Sequence, residues 1–300
     1  LIRRTAGLGK PPREFKSKSI HVHHNADVLI VGGGLAGLLA AKKLAGTDHD
    51  VLLIERDNLL GGNLRNTKKI KLIDDQKPVD WIEKTEWLIK NSKNIKVLKN
   101  TTVTTYNYNN HLIAFEDRSV GSPQDDTKPE LVLHKIRTKH TILANGHIER
   151  FLSFRNNDLP GVMLAASFEK YIHRYGVVPD ESPVIFTNNS STFSLVDSLL
   201  TLGHKPKAYI DVRDQKKIEK ETLELLTKYS IPFYAKSEIE GCDGNKEVQK
   251  VSVRVKKDKI IKIKTSMLCV SGGYNPDIHF TKQEKSIYDK FTQFALIATK

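Results

Sequence analysis

A glycine-rich turn between an apolar strand and an apolar helix constrains the fold of this 300-residue chain more than any other feature. The turn reads GGGLAG over residues 32–37, follows the apolar segment 27–31 and precedes a segment rich in Ala and Leu. A second apolar segment, residues 51–54, ends at Glu55. Strand, glycine turn, helix and a second strand with an acidic end form the βαβ fingerprint of dinucleotide-binding proteins.

The glycines of this turn have distinct physical roles. Gly32 lets the chain turn sharply, Gly34 lets backbone N–H groups approach a pyrophosphate, and Gly37 lets the helix pack closely on the strand. The helix N-terminus adds unpaired N–H groups and the positive end of a dipole. Glu55 is placed to accept hydrogen bonds from an adenosine ribose, and its charge repels a 2′-phosphate. The sequence therefore predicts binding of an ADP-containing dinucleotide.

The residues after Glu55 leave open whether that dinucleotide is NAD or FAD. Arg56 is followed closely by Gly61, Gly62 and Asn63. A second glycine pair at this place is typical of flavoproteins, in which the loop runs along the rest of a bound FAD. An ordinary turn has the same sequence, and NAD uses the same first half-site. Both cofactors therefore stay open at this point.

The middle of the first half predicts one helix and a small antiparallel meander. Apolar residues at helical spacing predict a helix over 78–91, and a strand is expected over 95–103. Alternating segments around 106–115 and 131–137 predict further antiparallel strands. The helix and the meander complete the expected nucleotide-binding domain.

The segment from residue 139 predicts a strand that ends in a turn of Ala144, Asn145 and Gly146. In two-domain flavoproteins a similar turn, Ala-Thr-Gly, closes beside the bound nucleotide, so this turn is expected to do the same. His147 and Glu149 follow it and are candidates for approaching a flavin or nicotinamide. No partner arrangement defines acid–base chemistry for either, so they are interpreted as hydrogen-bonding groups rather than catalytic residues.

A second βαβ unit starts near residue 183 but lacks glycines. Strands over 184–187 and 208–211 flank a helix, and the turn over 188–192 is made of Asn, Ser and Thr. Without glycine the backbone cannot easily approach a pyrophosphate. The pattern predicts a degenerate Rossmann-like unit that does not bind NAD(P)H in the usual way.

The remaining segments complete this second unit and return the chain to the first. A charged helix is expected over 216–229, and strands over 231–240, 248–255 and 260–265. A last strand, residues 267–270, leads to a glycine turn that is expected near the first domain.

The predicted fold class is α/β, similar to flavoproteins with two dinucleotide-binding domains. Residues 1–25, which are basic and contain prolines and a His cluster, are interpreted as a solvated linker or arm. The dinucleotide-binding domain is assigned to 26–160 and 266–300, C-terminally truncated, and the inserted Rossmann-like domain to 161–265.

Composition narrows the functional classes. Cys242 and Cys269 are the two cysteines; they lie far apart and form no CxxC motif, which excludes a dithiol flavoenzyme and fits a reducing, cytoplasmic compartment. No signal peptide is visible, and the apolar stretch 28–41 is too short to span a membrane. No metal site is predicted, since the His cluster lacks ligand partners at useful spacing.

The formal net charge of +13 does not by itself predict nucleic-acid binding. Lysines far outnumber arginines among the 48 basic residues and are scattered along the chain. Sequence-specific nucleic-acid readers favour Arg and stacking aromatics, which form no patch here. The positive charge is instead expected to favour association with acidic partners or with protein subunits.

Several long segments resemble a known family, the alpha subunit of heterotetrameric sarcosine oxidase. The most specific are FRNNDLPGVMLA over 154–165, YIHRYG over 171–176 and VIFTNN over 184–189. The segment VSGGYNP over 270–276 with the Ile-His that follows, and RRTAGLG over 3–9, agree as well. Arg155, Leu159 and Ser190–Phe193 depart from the family pattern and weaken any inference about substrate. Subunits of N-methylglutamate dehydrogenase, opine oxidase and hydrogen cyanide synthase share the first segment more loosely.

The resemblance implies a function that composition does not show. It implies a longer subunit, with a ferredoxin-like domain before Leu1 and a folate-binding domain after Lys300, whose central region holds NAD. It implies beta, gamma and delta partner subunits, with FAD in the beta subunit and FMN near the alpha–beta boundary. The complex would demethylate sarcosine to glycine, transfer the one-carbon unit to tetrahydrofolate and form H2O2. The present chain would contribute nucleotide binding and no catalytic residue.

Three alternatives remain open. The chain could be a self-sufficient FAD-dependent NAD(P)H oxidoreductase, a subunit of another amine-oxidising complex of the N-methylglutamate dehydrogenase or opine oxidase type, or a binding module whose nucleotide is purely structural. The candidate cofactor-binding residues are Gly32, Gly33, Gly34, Leu35, Ala36, Gly37, Glu55, Arg56, Gly61, Gly62, Asn63, Val103, Ala144, Asn145 and Gly146.

Overall fold

The apolar segments on both sides of the glycine turn become strands of a six-stranded sheet. The computed structural model describes residues 19–67, 70–118, 130–178, 180–255, 259–278, 280, 286–288 and 295–297. In chain order the first unit contains β1 (Ser19–Val31), α1 (Leu35–Leu44), β2 (Val51–Ile54), α2 (Pro78–Asn91), β3 (Ile95–Leu98), β4 (Thr101–Asn107), β5 (His111–Asp117), β6 (Leu131–Leu143) and β7 (His147–Glu149).

The first sheet has the order β3-β2-β1-β6-β5-β4, in which the first four strands are parallel and the last two antiparallel. Because successive residues of a strand face opposite sides, both faces are apolar and buried along β2 and along the C-terminal end of β1, residues 28–31. One face packs against the helices through Val28, Ile30, Leu38, Leu53, Trp81 and Ile82; the other packs around Leu29, Val31, Leu52, Val103, Leu112 and Ile136.

Two strands are longer than the sequence predicts. β1 and β6 each have 13 residues and pair from Ser19–Leu131 to Val31–Leu143. The linker prediction is therefore wrong for residues 19–25, which are paired β-strand, while residues 1–18 lie outside the described residues. The segments 131–137 and 139–143, predicted separately, form one continuous strand. Residues in the exposed half of β1 become strand because they pair with β6, since their own sequence has no hydrophobic pattern that predicts a strand.

The predicted helix over 78–91 is confirmed as α2. It starts at Pro78, where a missing N–H costs nothing, and buries Trp81, Ile82, Thr85 and Ile89 on one face. The single strand predicted over 95–103 is wrong, since it divides into β3 and β4 around Asn100, whose φ is 51°.

The second unit contains a five-stranded parallel sheet. Its order is β11-β10-β9-β15-β8, and a separate three-stranded antiparallel sheet, β12-β13-β14, packs on one face. The elements are β8 (Val162–Leu164), α3 (Ala165–Tyr175), β9 (Val184–Thr187), α4 (Phe193–Thr201), β10 (Ala208–Asp211), α5 (Lys220–Lys228), β11 (Phe233–Ala235), β12 (Glu238–Asp243), β13 (Lys250–Arg254), β14 (Ile260–Lys264), β15 (Leu268–Ser271) and β16 (Tyr274–Pro276).

The structure corrects two predicted element boundaries in this unit and the assignment of one strand. The helix predicted over 216–229 is α5, which begins only at Lys220 after a short 3-10 turn. The strand predicted over 231–240 divides into β11 and β12 at Lys236, whose φ is 51°. β15 pairs with β8 and β9, so it belongs to the second sheet and not to the first domain, where residues 266–300 were assigned.

The chain returns to the first unit after β15. β16 pairs antiparallel with β7, and this two-stranded ribbon joins the two units. Farther along, β17 (Ser286–Tyr288) pairs with β18 (Ala295–Ile297). Within the described part of the chain, none of the helices has both the length and the apolar character needed to cross a membrane.

Candidate dinucleotide site

The glycine turn between β1 and α1 has the geometry that its sequence predicts. Gly32 has a φ of 104°, and a Cβ there would clash with the Ala144 carbonyl oxygen. A Cβ on Gly37 would clash with the Gly32 carbonyl oxygen. Side chains at these two positions are therefore excluded by backbone packing, and Gly37 brings α1 directly against the turn.

The N-terminus of α1 is open. Gly34 occupies the N-cap position, no side chain caps the helix there, and the first turn holds no acidic residue. A Cβ built on Gly34 would meet nothing within 4 Å. Since the first N–H groups of a helix have no partner inside it, those near Leu35 and Ala36 suit a phosphate. The open space and the uncapped helix together fit the pyrophosphate of a dinucleotide.

Glu55 stands at the end of β2, beside this open space, and its residue is only 8% exposed. Its carboxylate accepts hydrogen bonds from the Gly33 N–H at 2.6 Å and from the Asp57 N–H at 2.8 Å, one on each oxygen. Each carboxylate oxygen has a second lone pair, which suits a ribose hydroxyl. The Arg56 side chain is exposed and lies outside this network.

The second glycine pair lies against the first turn. Gly61 has a φ of 112° and donates its N–H to the Gly33 carbonyl oxygen at 2.8 Å. A Cβ on Gly62 would approach the Gly34 Cα to 3.1 Å. Asn63 lies in the short 3-10 turn Gly62–Arg65 and donates its amide to the His147 ring at 3.1 Å. The loop 61–63 therefore borders the same open space as α1.

The turn after β6 forms another wall. Ala144 donates its N–H to the Val31 carbonyl oxygen at 2.8 Å and supports Gly32. Asn145 donates its amide to the Asp277 carbonyl oxygen at 2.5 Å. Gly146 has a φ of 80°, and its carbonyl oxygen accepts the Asp277 N–H at 3.0 Å. Backbone from three separate segments thus meets at this turn.

Val103 takes a different position from the other candidates. Its side chain is buried in the hydrophobic core, beside Leu29, Val31 and Leu112. β4 does begin below the site, because Thr101 donates its N–H to the Glu55 carbonyl oxygen at 2.9 Å. Val103 is therefore a core residue, and its side chain does not line the site.

Glu149, the last residue of β7, contacts the second unit rather than the glycine turn. Its Oε2 accepts the Ala166 N–H at 2.8 Å, in the first turn of α3. Burial raises its pKa to about 7, against the lowering effect of the Ser271 hydroxyl and of that N–H. The neighbouring His147 packs edge-on against Tyr274, with ring centroids 4.4 Å apart.

The glycine-free turn of the second unit is filled by its own side chains. Asn189 donates its amide to the Ser271 carbonyl oxygen at 3.1 Å and accepts the Ser191 N–H at 2.9 Å. The Ser191 and Ser271 hydroxyls are hydrogen-bonded at 3.0 Å. These bonds link the ends of β9 and β15, where a parallel sheet would otherwise receive a ligand. The arrangement supports the prediction of a degenerate unit.

Sequence reasoning missed the residues that join the two units. Arg174, in the last turn of α3, donates to Asp57 Oδ2 at 2.6 Å and to Asn58 Oδ1 at 2.7 Å. Thr67 and Ser194 are hydrogen-bonded at 2.8 Å. No local pattern marks such pairs, because the partners lie more than a hundred residues apart.

The His cluster and the cysteines have structural surroundings. His24 is hydrogen-bonded to buried His134 at 2.8 Å, and His134 donates to Glu116 at 2.9 Å. Among the described residues no group of three potential ligands is placed to hold a metal ion. Cys242 and Cys269 are buried free thiols whose pKa values are raised by burial, to about 11 for Cys242. Thiolate chemistry at neutral pH is therefore disfavoured at both.

Comparison with known proteins agrees with the geometry of the first unit. Residues 30–97 match the family of NAD(P)-binding Rossmann-like domains. The matched range covers the glycine turn, Glu55, the loop 61–63 and α2.

Curated relatives extend the similarity to nearly the whole chain. The sarcosine oxidase subunit alpha of Rhizobium meliloti (strain 1021) is 29% identical over 286 residues, which cover 93% of this chain and 28% of that protein. The sarcosine oxidase subunit alpha of Corynebacterium sp. (strain U-96) is 30% identical over 291 residues, covering 93% and 30%. The resemblance predicted from the sequence is confirmed, and the chain corresponds to less than a third of these relatives' length.

Solved structures show the same fold at low sequence identity. L-proline dehydrogenase from P. horikoshii superposes with a TM-score of 0.62 at 19% identity, covering 96% of this chain and 50% of that one. Thioredoxin reductase from Lactococcus lactis gives a TM-score of 0.63 at 18% identity, covering 86% and 80%. The predicted fold class, an α/β protein similar to flavoproteins with two dinucleotide-binding domains, is confirmed.

Proposed function

We propose that this chain is the nucleotide-holding part of a sarcosine-oxidase-type alpha subunit and that it binds NAD at the glycine turn. The observation that carries the proposal is the uncapped N-terminus of α1, with open space at Gly34 and the Glu55 carboxylate beside it. The helix N–H groups would hold the pyrophosphate, and Glu55 would accept the 2′-hydroxyl of the adenosine ribose. The similarity over 93% of the chain to sarcosine oxidase alpha subunits supports the assignment.

The reaction belongs to the larger assembly in this proposal. With beta, gamma and delta subunits, an enzyme acting on CH–NH groups would oxidise sarcosine to glycine, using FAD and FMN outside this chain. The one-carbon unit would pass to tetrahydrofolate, and oxygen would be reduced to H2O2. A cytoplasmic location, without nucleic-acid or membrane partners, is part of the same proposal.

The described residues of this chain hold the nucleotide and perform no chemistry in our proposal. His147 accepts from Asn63, and Glu149 accepts the Ala166 N–H, so both take part in structural hydrogen bonds. In this proposal NAD would have a structural role and would stabilise the arrangement of the two units and their partner subunits.

A second candidate is a self-sufficient FAD enzyme that takes electrons from NAD(P)H. The contact of Gly61 and Gly62 with the first glycine turn favours it, because this loop is placed to follow a longer cofactor. The hydrogen bonds of Asn189 and Ser191 with Ser271 count against it, since they occupy the turn that NAD(P)H would need.

The deciding experiment is release of the bound nucleotide from the purified chain by acid, with identification by mass spectrometry and visible absorption. NAD without flavin is the expected result. Stoichiometric FAD would overturn the NAD assignment and favour the second candidate. If the chain is isolated without nucleotide, titration calorimetry with NAD and with FAD decides between them, and no binding of either would refute the site.

A further inference from the structure

The second unit contacts the loop that carries the proposed ribose carboxylate. Arg174, near the C-terminal end of α3, donates Nη1 to Asp57 Oδ2 at 2.6 Å and Nη2 to Asn58 Oδ1 at 2.7 Å. The Arg174 side chain is 12% exposed and that of Asp57 31%. Lys170, one helical turn earlier, places its ammonium 3.8 Å from the same carboxylate oxygen. Residues 55–58 are named the ribose loop below.

Asp57 links Arg174 to Glu55 through its backbone. The Asp57 N–H is the donor that holds Glu55 Oε1 at 2.8 Å, while the Gly33 N–H holds Oε2. Burial acts to raise the pKa of Asp57, but Arg174 and Lys170 outweigh it, and the pKa lies below its usual value. Asp57 therefore stays ionised, and a charge-assisted pair fixes the residue whose N–H orients Glu55.

The second unit also holds the loop on the other side of the glycine turn. Ser194, in the first turn of α4, is hydrogen-bonded to Thr67 at 2.8 Å and donates to buried Glu169 of α3. His173 of α3 is hydrogen-bonded to Ser198 of α4 at 2.8 Å, which ties the two helices together. Thr67 closely follows the segment Gly61–Asn63. The ribose loop is thus attached to α3, and the segment that continues from the loop 61–63 is attached to α4.

We propose that the second unit, whose own turn is closed by side chains, serves as a clamp on the nucleotide site of the first unit. Arg174 is the positioning residue of this clamp, acting through Asp57 on Glu55 to select nucleotides with a free ribose 2′-hydroxyl. The inference rests on the proposed function, in which an adenine nucleotide binds at the glycine turn. A carboxylate fixed in advance binds more tightly, because the nucleotide does not have to order the loop.

The test is a cycle between one side chain and one ligand hydroxyl. Calorimetry measures the Kd of ADP and of 2′-deoxy-ADP for the wild-type chain, Arg174→Met and Arg174→Lys. Arg155→Met is the matched control, because Arg155 forms an ion pair with Asp243 at 3.2 Å within the second unit. Since a hydroxyl donated to a carboxylate is a charge-assisted bond, wild type should prefer ADP by about tenfold.

If Arg174 acts through Glu55, Arg174→Met weakens ADP binding by about tenfold and 2′-deoxy-ADP binding by less than about twofold. Arg174→Lys falls between, since an ammonium pairs with Asp57 but lacks the second arm that reaches Asn58. Arg155→Met leaves both affinities unchanged. Equal weakening of both ligands by Arg174→Met, or no weakening, would overturn the inference while leaving the proposed function intact. Absence of ADP binding to the wild-type chain would overturn the proposed function itself, and the clamp with it.

Two further measurements guard against a variant that folds poorly. Asn58→Ala removes one exposed partner and keeps the ion pair, so we expect a loss of about threefold for ADP alone. Hydrogen exchange of the ribose loop needs no ligand; it should accelerate in Arg174→Met and not in Arg155→Met. Unchanged exchange in Arg174→Met would contradict the clamp.

Discussion

Gly34 offers a probe that separates nucleotide binding from folding. Its φ is −75°, which any residue adopts, and a Cβ there meets no protein atom within 4 Å. Gly34→Ala therefore adds a methyl group to the space assigned to the pyrophosphate without disturbing the fold. Ala is a poorer N-cap than Gly but restricts the unfolded chain, so the free energy of unfolding should change by less than about 1 kcal/mol.

The expected effect of Gly34→Ala on binding is much larger. A hydrogen bond to a charged group contributes about 1.5–3 kcal/mol, so loss of one phosphate contact raises the Kd by about ten- to a hundredfold. Titration calorimetry of NAD, with urea unfolding of the same samples, measures both quantities. Unchanged affinity in Gly34→Ala, given a wild-type chain that binds, would show that the pyrophosphate lies elsewhere.

Gly46→Ala is the matched control, with the opposite expected pattern. Gly46 is exposed, its Cβ would also meet nothing within 4 Å, but its φ is +77°. The left-handed conformation costs an alanine about 1–2 kcal/mol, so stability should fall while affinity for NAD is kept. A loss of affinity in this variant would show that binding depends on global stability, and would remove the support that Gly34→Ala gives to the site.

Three further predictions concern stability. Gly37→Ala should lower the free energy of unfolding by about 3 kcal/mol or prevent folding, because its Cβ clashes with the Gly32 carbonyl oxygen; near-wild-type stability in urea would contradict this packing. Burial raises the pKa of Glu149 from 4.5 to about 7, so between these pH values the folded state retains a proton that the unfolded chain releases. The free energy of unfolding of the wild-type chain should therefore fall from pH 4.5 to 7 by up to about 3 kcal/mol relative to that of Glu149→Gln. Parallel pH profiles of the two proteins would refute this prediction. Burial, Lys96 and His134 lower the pKa of His24 from 6.5 to about 4, so stability should fall as the pH drops from 6.5 to 4, and His24→Gln should lose part of that dependence, as measured by thermal unfolding.

The glycine-turn site could be predicted from the sequence because the residues that form it are specified by their immediate neighbours in the chain. Gly32 and Gly37 are fixed by the turn and by contact with the adjacent helix, and Glu55 by its place at a strand end. The boundaries of α2 followed from Pro78 at its start and from apolar spacing along one face. The glycine-free turn over 188–192 could likewise be interpreted without knowing the rest of the fold.

Pairings between distant segments decided what the sequence did not. Residues 19–25 are strand because β6 pairs with them, although their alternating exposed positions resemble a linker. β15 joins the second sheet because β8 and β9 flank it, and a short apolar strand fits equally well in either sheet.

The ribose loop shows most clearly which features the sequence determines and which depend on the tertiary structure. The sequence alone identified Glu55 from the strand that ends before it, and the glycine turn from backbone geometry that no other residue type allows. It gave no sign that Arg174, more than a hundred residues away, contacts Asp57 and Asn58. An ion pair requires only two opposite charges, and this chain has many of both signs, so only the tertiary structure determines which of them meet.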